Sequence, residues 1–151
     1  MTTTLTLRLA EPSDLDAVAQ LAVALRDDTH WRDVDFTPDP EAISLWLLAV
    51  LSTTTNHVLY VAEQEGQVVG FCLGLLTVHP LVAQVPVIYE QGWYITPEVR
   101  SGTLGMDLWH LVVEWGRQRG AKAACYCIPA KRVHLRNGYR VAETLYWKDL
   151  E

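Results

Sequence analysis

Within Arg100-Ser101-Gly102-Thr103-Leu104-Gly105 the chain places two glycines, a serine, a threonine and one arginine immediately before a long apolar-periodic segment. Two glycines allow the backbone to fold tightly and aim several N–H groups at one point. A helix starting there adds its unpaired first-turn N–H groups and the positive end of its dipole. Such a junction attracts phosphate without a lysine. A purely structural turn is the plain alternative, because glycine-bearing loops before helices are common. Two nucleotide-binding loops are excluded. A Walker-type loop ends in Gly-Lys-Ser/Thr, whereas Gly105 is followed by Met106 and Asp107. A dinucleotide fingerprint needs Gly-x-Gly-x-x-Gly, which Gly102 and Gly105 do not satisfy.

Other residue types suited to chemistry lie on either side. Glu90 is the one carboxylate in the apolar run 85–95, on a path toward the glycine loop, and is a candidate general base. It could instead face solvent or pair with an arginine, depending on the register around Gly92. His134 sits in a basic stretch with Lys131, Arg132 and Arg136. Its imidazole would be partly protonated near neutral pH, and a plain surface histidine is the alternative. The stretch from Asp27 to Phe36 mixes carboxylates with aromatics. Asp33 could attract a positively charged amine, and Trp31 or Phe36 could cover it; a solvated acidic turn fits the same residues.

These residues need a scaffold, and hydrophobic periodicity supplies one. Leu5–Leu9 alternates as a strand, and a helix follows from about Ser13 to Asp27, with Ser13 and Asp16 as a capping pair and Leu15, Val18, Leu21, Ala22 and Leu25 inward. Asp39 and Pro40 open a second helix with Ile43, Trp46, Leu47, Val50 and Leu51 inward. His57–Glu63 and Val68–Leu76 form a hairpin about Gln64-Glu65-Gly66-Gln67. Val85–Ile95 is the strand that feeds the glycine loop, and Gly92 marks a bulge or a close backbone approach. Leu104, Leu108, Leu111, Val112 and Trp115 form the inner stripe of the following helix, which ends at Gly120. Ala121–Ile128 then returns as a strand, reached by a crossover long enough for parallel pairing. A short helix within 129–137 and a last strand over 138–148 complete the order.

The loop from Arg100 to Gly105, preceded by Tyr94-Ile95-Thr96-Pro97-Glu98, resembles the acyl-coenzyme A pyrophosphate loop of the GNAT superfamily of N-acetyltransferases, Arg/Gln-x-x-Gly-x-Gly/Ala. Arg100 and Gly105 match its outer positions, while Thr103 stands where the inner glycine is usual and Gly102 lies beside it. The opening Leu7-Arg8-Leu9-Ala10-Glu11-Pro12-Ser13-Asp14-Leu15, the hairpin at Glu65 to Gly70 and the run Arg136-Asn137-Gly138-Tyr139 resemble other parts of the family, so the likeness covers essentially the whole chain. It implies an α/β (α+β) fold with a mixed, mostly antiparallel sheet of about six strands and helices on both faces. The C-terminal region is short for the family. The resemblance further implies acetyl-CoA as acyl donor, held by Ile95, Arg100, Ser101, Gly102, Thr103, Leu104 and Gly105. It implies direct attack by a primary amine, with Glu90 as base and the Ile95 N–H polarising the thioester carbonyl. His134 takes the position of a family tyrosine that protonates the departing thiolate; Tyr94 or Tyr139 could supply a hydroxyl instead. Thr103, His134 and the short tail also fit a catalytically reduced module that binds or regulates.

Length and composition bound the rest. A chain of 151 residues, half of them hydrophobic and a fifth charged, suits one domain with a substantial core. Twelve basic against eighteen acidic residues leave a net charge of −6, which opposes nucleic acid and anionic membrane and favours a cationic acceptor. No leader or spanning segment is expected, and three cysteines in apolar runs read as reduced thiols, so a cytoplasmic location follows. No cysteine or histidine spacing fits a metal site. A homodimer through the last strand and exposed tryptophans is a further expectation.

Overall fold

The computed structural model describes residues 4–53, 55–78, 85–100, 102–127 and 138. The expected short helix and last strand, with Lys131, Arg132, His134, Arg136 and Tyr139, lie outside these residues, as does Ser101.

Five strands form one sheet in the order β1-β2-β3-β4-β5, namely β1 (Leu5–Leu9), β2 (His57–Gln64), β3 (Gln67–Val78), β4 (Pro86–Ile95) and β5 (Ala123–Cys125). The pairs from β1 to β4 are antiparallel and β4 with β5 is parallel. The β2–β3 hairpin closes on Glu65 and Gly66, both at positive φ, the two-residue turn whose twist matches that of paired strands. Parallel pairing of β5 needs a crossover, which α3 (Leu104–Gln118) provides. The mixed, mostly antiparallel sheet is as expected; the segment for which a sixth strand is expected falls outside the described residues.

The sheet separates two cores. On one face α3 lays Leu104, Leu108, Trp109 and Val112 against Val58, Cys72, Ile88 and Ile95. On the other, α1 (Leu15–Asp27) and α2 (Pro40–Thr53) bring Leu15, Val18 and Leu47 onto Leu59, Val61, Phe71, Leu73 and Tyr94. The approach of α3 to the sheet is close enough that a Cβ on Gly74 would lie 2.4 Å from Val112 Cγ1, and one on Gly116 would lie 2.9 Å from Ile88 Cβ.

Two local expectations are corrected. The start of α1 is not capped by Ser13 with Asp16. A 3₁₀ turn over Pro12–Asp14 precedes it, and the Glu11 N–H donates to Asp14 Oδ2 at 2.7 Å. Asp14 is also held by Arg8 at 2.7 and 2.9 Å, and Arg8 reaches Glu63 at 2.6 Å, so one guanidinium ties β1, β2 and the start of α1 together. The same ion pair holds the buried Asp14 carboxyl below the usual carboxylate range. Asp16 instead accepts a hydrogen bond from Ser44 Oγ of α2 at 2.6 Å. Trp46 is the second correction. It is exposed rather than inward, and meets His57 edge-on at 6.4 Å.

Candidate active site

The glycine loop joins β4 to α3 through a 3₁₀ turn, Pro97–Val99. Gly102 has φ +61°, a left-handed conformation that costs an L side chain but not glycine. Thr103 caps α3 with φ −103° and ψ −1°, so a β-carbon is tolerated there. The flexibility that the inner position would need is therefore supplied one residue earlier, by Gly102. Thr103 Oγ1 donates to Asp107 Oδ2 at 2.6 Å, which turns the hydroxyl onto the helix. Gly105 lies in the first turn of α3, where a Cβ would approach Trp93 Cζ2 to 3.1 Å, so this end of the helix sits directly on β4. The fifteen-residue helix thus begins with its N–H groups at the strand end, an arrangement that suits an anionic ligand. A depression of about 570 Å³ on the β1 side of the junction is rimmed by Glu98 and Asp107, which disfavours an anion on that side.

Arg100 sits differently from a simple phosphate ligand. Its Nε donates to the Ile95 carbonyl at 2.6 Å and its Nη2 to Asp28 Oδ2 at 2.8 Å. The guanidinium lies 4.9 Å from the centre of the Tyr94 ring, and the Tyr94 hydroxyl donates to the same Asp28 oxygen at 3.1 Å. Burial, then the Asp28 bond, pushes the Tyr94 hydroxyl pKa upward. This cluster locks the end of α1 to the end of β4, and it engages the hydroxyl that Tyr94 could otherwise offer as an acid.

Beyond Tyr89, which pairs with Cys125, the parallel strands β4 and β5 lose their pairing, while β4 continues along β3 to Ile95. A slot opens between the two arms. The Thr96 N–H donates to the Val69 carbonyl on β3 at 2.9 Å. Because backbone groups alternate sides along a strand, Ile95 and Trp93 turn their N–H groups away from β3, toward the slot. The Arg100 bond to the Ile95 carbonyl agrees with that orientation. Ile95 thus has its N–H on the side away from β3, and Trp93, two positions earlier, has its own on the same side.

Glu90 stands at the base of the slot. It pairs across with Gly74 on the α3 face, one residue before a bulge that leaves Gln91 without an opposite number. The carboxylate is half-buried and accepts a hydrogen bond from the Cys127 N–H of the other arm at 3.1 Å. Burial raises its pKa from 4.5 to about 6, with the Cys127 bond opposing. The neighbouring Cys72 thiol is pushed well up by its own burial and then by the Glu90 charge. Gly92 is explained by packing: a Cβ there would lie 3.2 Å from the Phe71 ring.

Trp31, Asp33 and Phe36 are exposed and lie beside α1 and α2, not on the α3 face that carries Glu90. Trp31 and Asp33 belong to the 3₁₀ turn His30–Asp33, and Phe36 lines an apolar hollow of about 350 Å³ with Ile43 and Trp46. Arg26 fastens the segment by donating to the carbonyls of Val34 and Phe36 at 3.0 and 2.8 Å. Its link to the glycine loop runs through Asp28, a residue whose role no local pattern announces. No disulfide links the described cysteines, and among the described residues no group of three or more His, Cys, Asp or Glu could hold a metal ion. No helix among those residues is long and apolar enough to cross a membrane.

Comparison with known proteins agrees with this geometry. A family model described as acetyltransferase (GNAT) family matches residues 22–139. The chain is 31% identical over 120 residues to an aminoglycoside N(6')-acetyltransferase type 1 of Stenotrophomonas maltophilia, covering 78% of this chain and 71% of that protein. Its fold is similar to that of a predicted acetyltransferase with acetyl-CoA from Clostridium acetobutylicum, with TM-score 0.71 and 12% identity over 93% of this chain and 96% of the other. It is likewise similar to aminoglycoside N-acetyltransferase AAC(6')-Iy in complex with CoA, with TM-score 0.69 and 14% identity over 94% and 97% of the two chains. With its glycine loop at the start of α3 and the slot between β4 and β5, the chain belongs to the acetyltransferase (GNAT) family, an N-acetyltransferase with acetyl-CoA as its acyl donor.

Proposed function

We propose that this protein transfers the acetyl group of acetyl-CoA to a primary amine of a cationic acceptor, the amine attacking the thioester carbonyl directly and the coenzyme thiolate leaving, with aminoglycoside-like amino sugars the acceptor class to test first. The observation that carries the reading is Glu90: a half-buried carboxylate with pKa raised to about 6, at the base of a slot into which the N–H groups of Trp93 and Ile95 turn. A base with that pKa is largely ionised at neutral pH yet binds a proton more readily than an exposed carboxylate. Glu90 takes the proton of the attacking amine, directly or through water. Acetyl-CoA supplies an activated thioester and a good leaving group. The N–H groups of Ile95 and Trp93 face the carbonyl oxygen that gains charge, and such preorganised donors typically contribute about 3–4 kcal/mol each. Gly102, Thr103, Leu104 and Gly105 hold the diphosphate at the start of α3, with Arg100 bracing the loop from Ile95. Protonation of the thiolate is assigned to His134.

Support for a cationic acceptor comes from the −6 net charge, the exposed carboxylates Asp27 at the end of α1 and Asp33 and Asp35 in the segment after it, and the name of the Stenotrophomonas relative. The test is thiol release from acetyl-CoA with a panel of amino sugars, polyamines and peptides. Amino sugars are expected to give the highest kcat/KM, and Glu90→Gln to lower it by about 10²–10⁴. Binding of acetyl-CoA without turnover of any amine would refute catalysis and favour the binding module. Turnover unaffected by Glu90→Gln would refute the assigned base.

A further inference from the structure

The end of the slot is closed by aromatic rings that no step above uses. Trp93 leaves β4 on the α3 face and stacks on Trp109 with ring centres 6.3 Å apart and planes at 25°. Tyr126, the first residue beyond β5, meets Trp93 edge-on at 5.8 Å and 89°, and meets Trp109 at 5.8 Å and 70°. The two arms of the slot are therefore joined twice at its base, once by Cys127 with Glu90 and once by Tyr126 with Trp93.

We propose that Trp93, braced by Trp109 and Tyr126, is the specificity-determining residue that limits the length of the transferred acyl group to acetyl or little more. The inference rests on the reading of the slot as the acyl-donor site. An acyl group carried along β4 from the glycine loop toward Glu90 passes the Trp93 backbone and ends against these rings. The ring cannot swing aside cheaply. Its Cζ2 edge already lies under Gly105, at 3.1 Å from a Cβ placed there, and Trp109 beneath it is fully buried. A close-packed wall of this kind resists a change of even one methylene. Discrimination of about 10-fold or more per added methylene is the ordinary capacity of an apolar pocket.

The experiment compares acetyl-, propionyl- and butyryl-CoA in two readouts: kcat/KM by thiol release, and Kd by quenching of tryptophan fluorescence, which needs no turnover. Wild type should prefer acetyl- to propionyl-CoA by at least about 10-fold and acetyl- to butyryl-CoA by at least about 100-fold. Trp93→Ala should reduce that ratio to about 3 or less, through improved use of butyryl-CoA and not only through loss of acetyl-CoA. Tyr126→Leu, which opens the slot from the other arm and keeps both tryptophans, should relax the ratio in the same direction and decides the matter if Trp93→Ala does not fold. A wild type indifferent to acyl length, or ratios unchanged in a folded variant, overturns the proposal while leaving acetyl transfer intact. Failure of the transfer reading has a separate signature: no donor turns over, and the Kd ratios still decide whether the rings select by length.

Discussion

Glu90→Gln should make the protein more stable and less active at the same pH. The Glu90 carboxyl titrates near 4.5 in an unfolded chain and near 6 in the folded protein, chiefly because burial penalises its charge. Between those values the folded protein keeps a proton that the unfolded chain has released, so stability falls as pH rises. Above pH 6 the penalty is complete, at about 2 kcal/mol. Glutamine has nearly the same shape, can still accept from the Cys127 N–H and carries no charge to desolvate. The variant should therefore match wild type near pH 4 and exceed it by up to about 2 kcal/mol at pH 8. For a chain of this size that is a rise of roughly 4–8 °C in melting temperature. The assay is thermal unfolding of both proteins from pH 4 to 8, alongside kcat/KM from pH 5 to 8. Wild-type kcat/KM should climb through a limb near pH 6 that the variant lacks. A glutamine variant that melts lower at pH 8, or gains equally at both ends of the range, would refute the argument that burial of this carboxylate sets its basicity.

Three further outcomes follow from the packing. Gly74→Ala places a methyl 2.4 Å from Val112 Cγ1 and should cost about 1–3 kcal/mol by forcing α3 off the sheet, seen as a lower denaturant midpoint with weaker acetyl-CoA affinity. Gly102→Ala meets no atom within 4 Å, so its cost should be the backbone strain alone, about 1–2 kcal/mol; Gly102→Asn should recover part of it. Asp28→Ala removes the oxygen shared by Arg100 and Tyr94. Because the Asp28 side chain is 47% exposed, the loss of stability should not exceed about 1 kcal/mol, whereas KM for acetyl-CoA should rise as Arg100 loosens from Ile95. Asp28→Asn, which can still accept one of the two bonds, should lie between.

Much of the framework is legible in the sequence because it follows from periodicity. The alternation of β1, the apolar runs of β2 and β3, the Glu65-Gly66 turn and the inner stripe of α3 each specify an element by local rules, and the crossover to β5 follows from its length. What escapes depends on contacts far apart in sequence. Asp28 and Arg100 are seventy-two residues apart, and nothing in the stretch from Asp27 to Phe36 marks Asp28 above its neighbouring carboxylates. Trp109 is the largest fully buried side chain among the described residues, yet it stands beside the 104-108-112 stripe, and its burial is completed by the rings of Trp93 and Tyr126, which come from distant strands. Trp46 errs the other way. Its position on α2 is periodic with Leu47 and Val50, but the helix is apolar nearly all round, so period alone could not tell the inner face from the outer. Of the candidate site, the glycine loop and Glu90 were visible as residue types, whereas the face of Glu90 was not.

Alternation from Ile88 puts Glu90 on the α3 face, and the bulge at Gln91 decides which later residues join it there. Simple alternation from Ile88 would put Glu90, Gly92 and Tyr94 on one side of the sheet and Trp93 with Ile95 on the other. Instead Ile88 and Ile95 share the α3 core, Trp93 packs against it, and Tyr94 faces α1. One extra residue reverses the parity of β4 between its two halves. Glu90 and Trp93, three positions apart, consequently lie on the same face at the base of the slot. Tyr94 is free to reach Asp28 on the opposite face. The packing across from it bears on the burial of the carboxylate. Opposite Glu90 stands Gly74, where Val112, Ile88 and Val58 already fill the space a side chain would need, so α3 packs close to the sheet beside the carboxylate. The irregularity in the strand and the missing side chain across from it are thus one arrangement. Together they place a carboxylate where desolvation raises its pKa, next to the stretch of β4 whose Trp93 and Ile95 N–H groups turn away from β3.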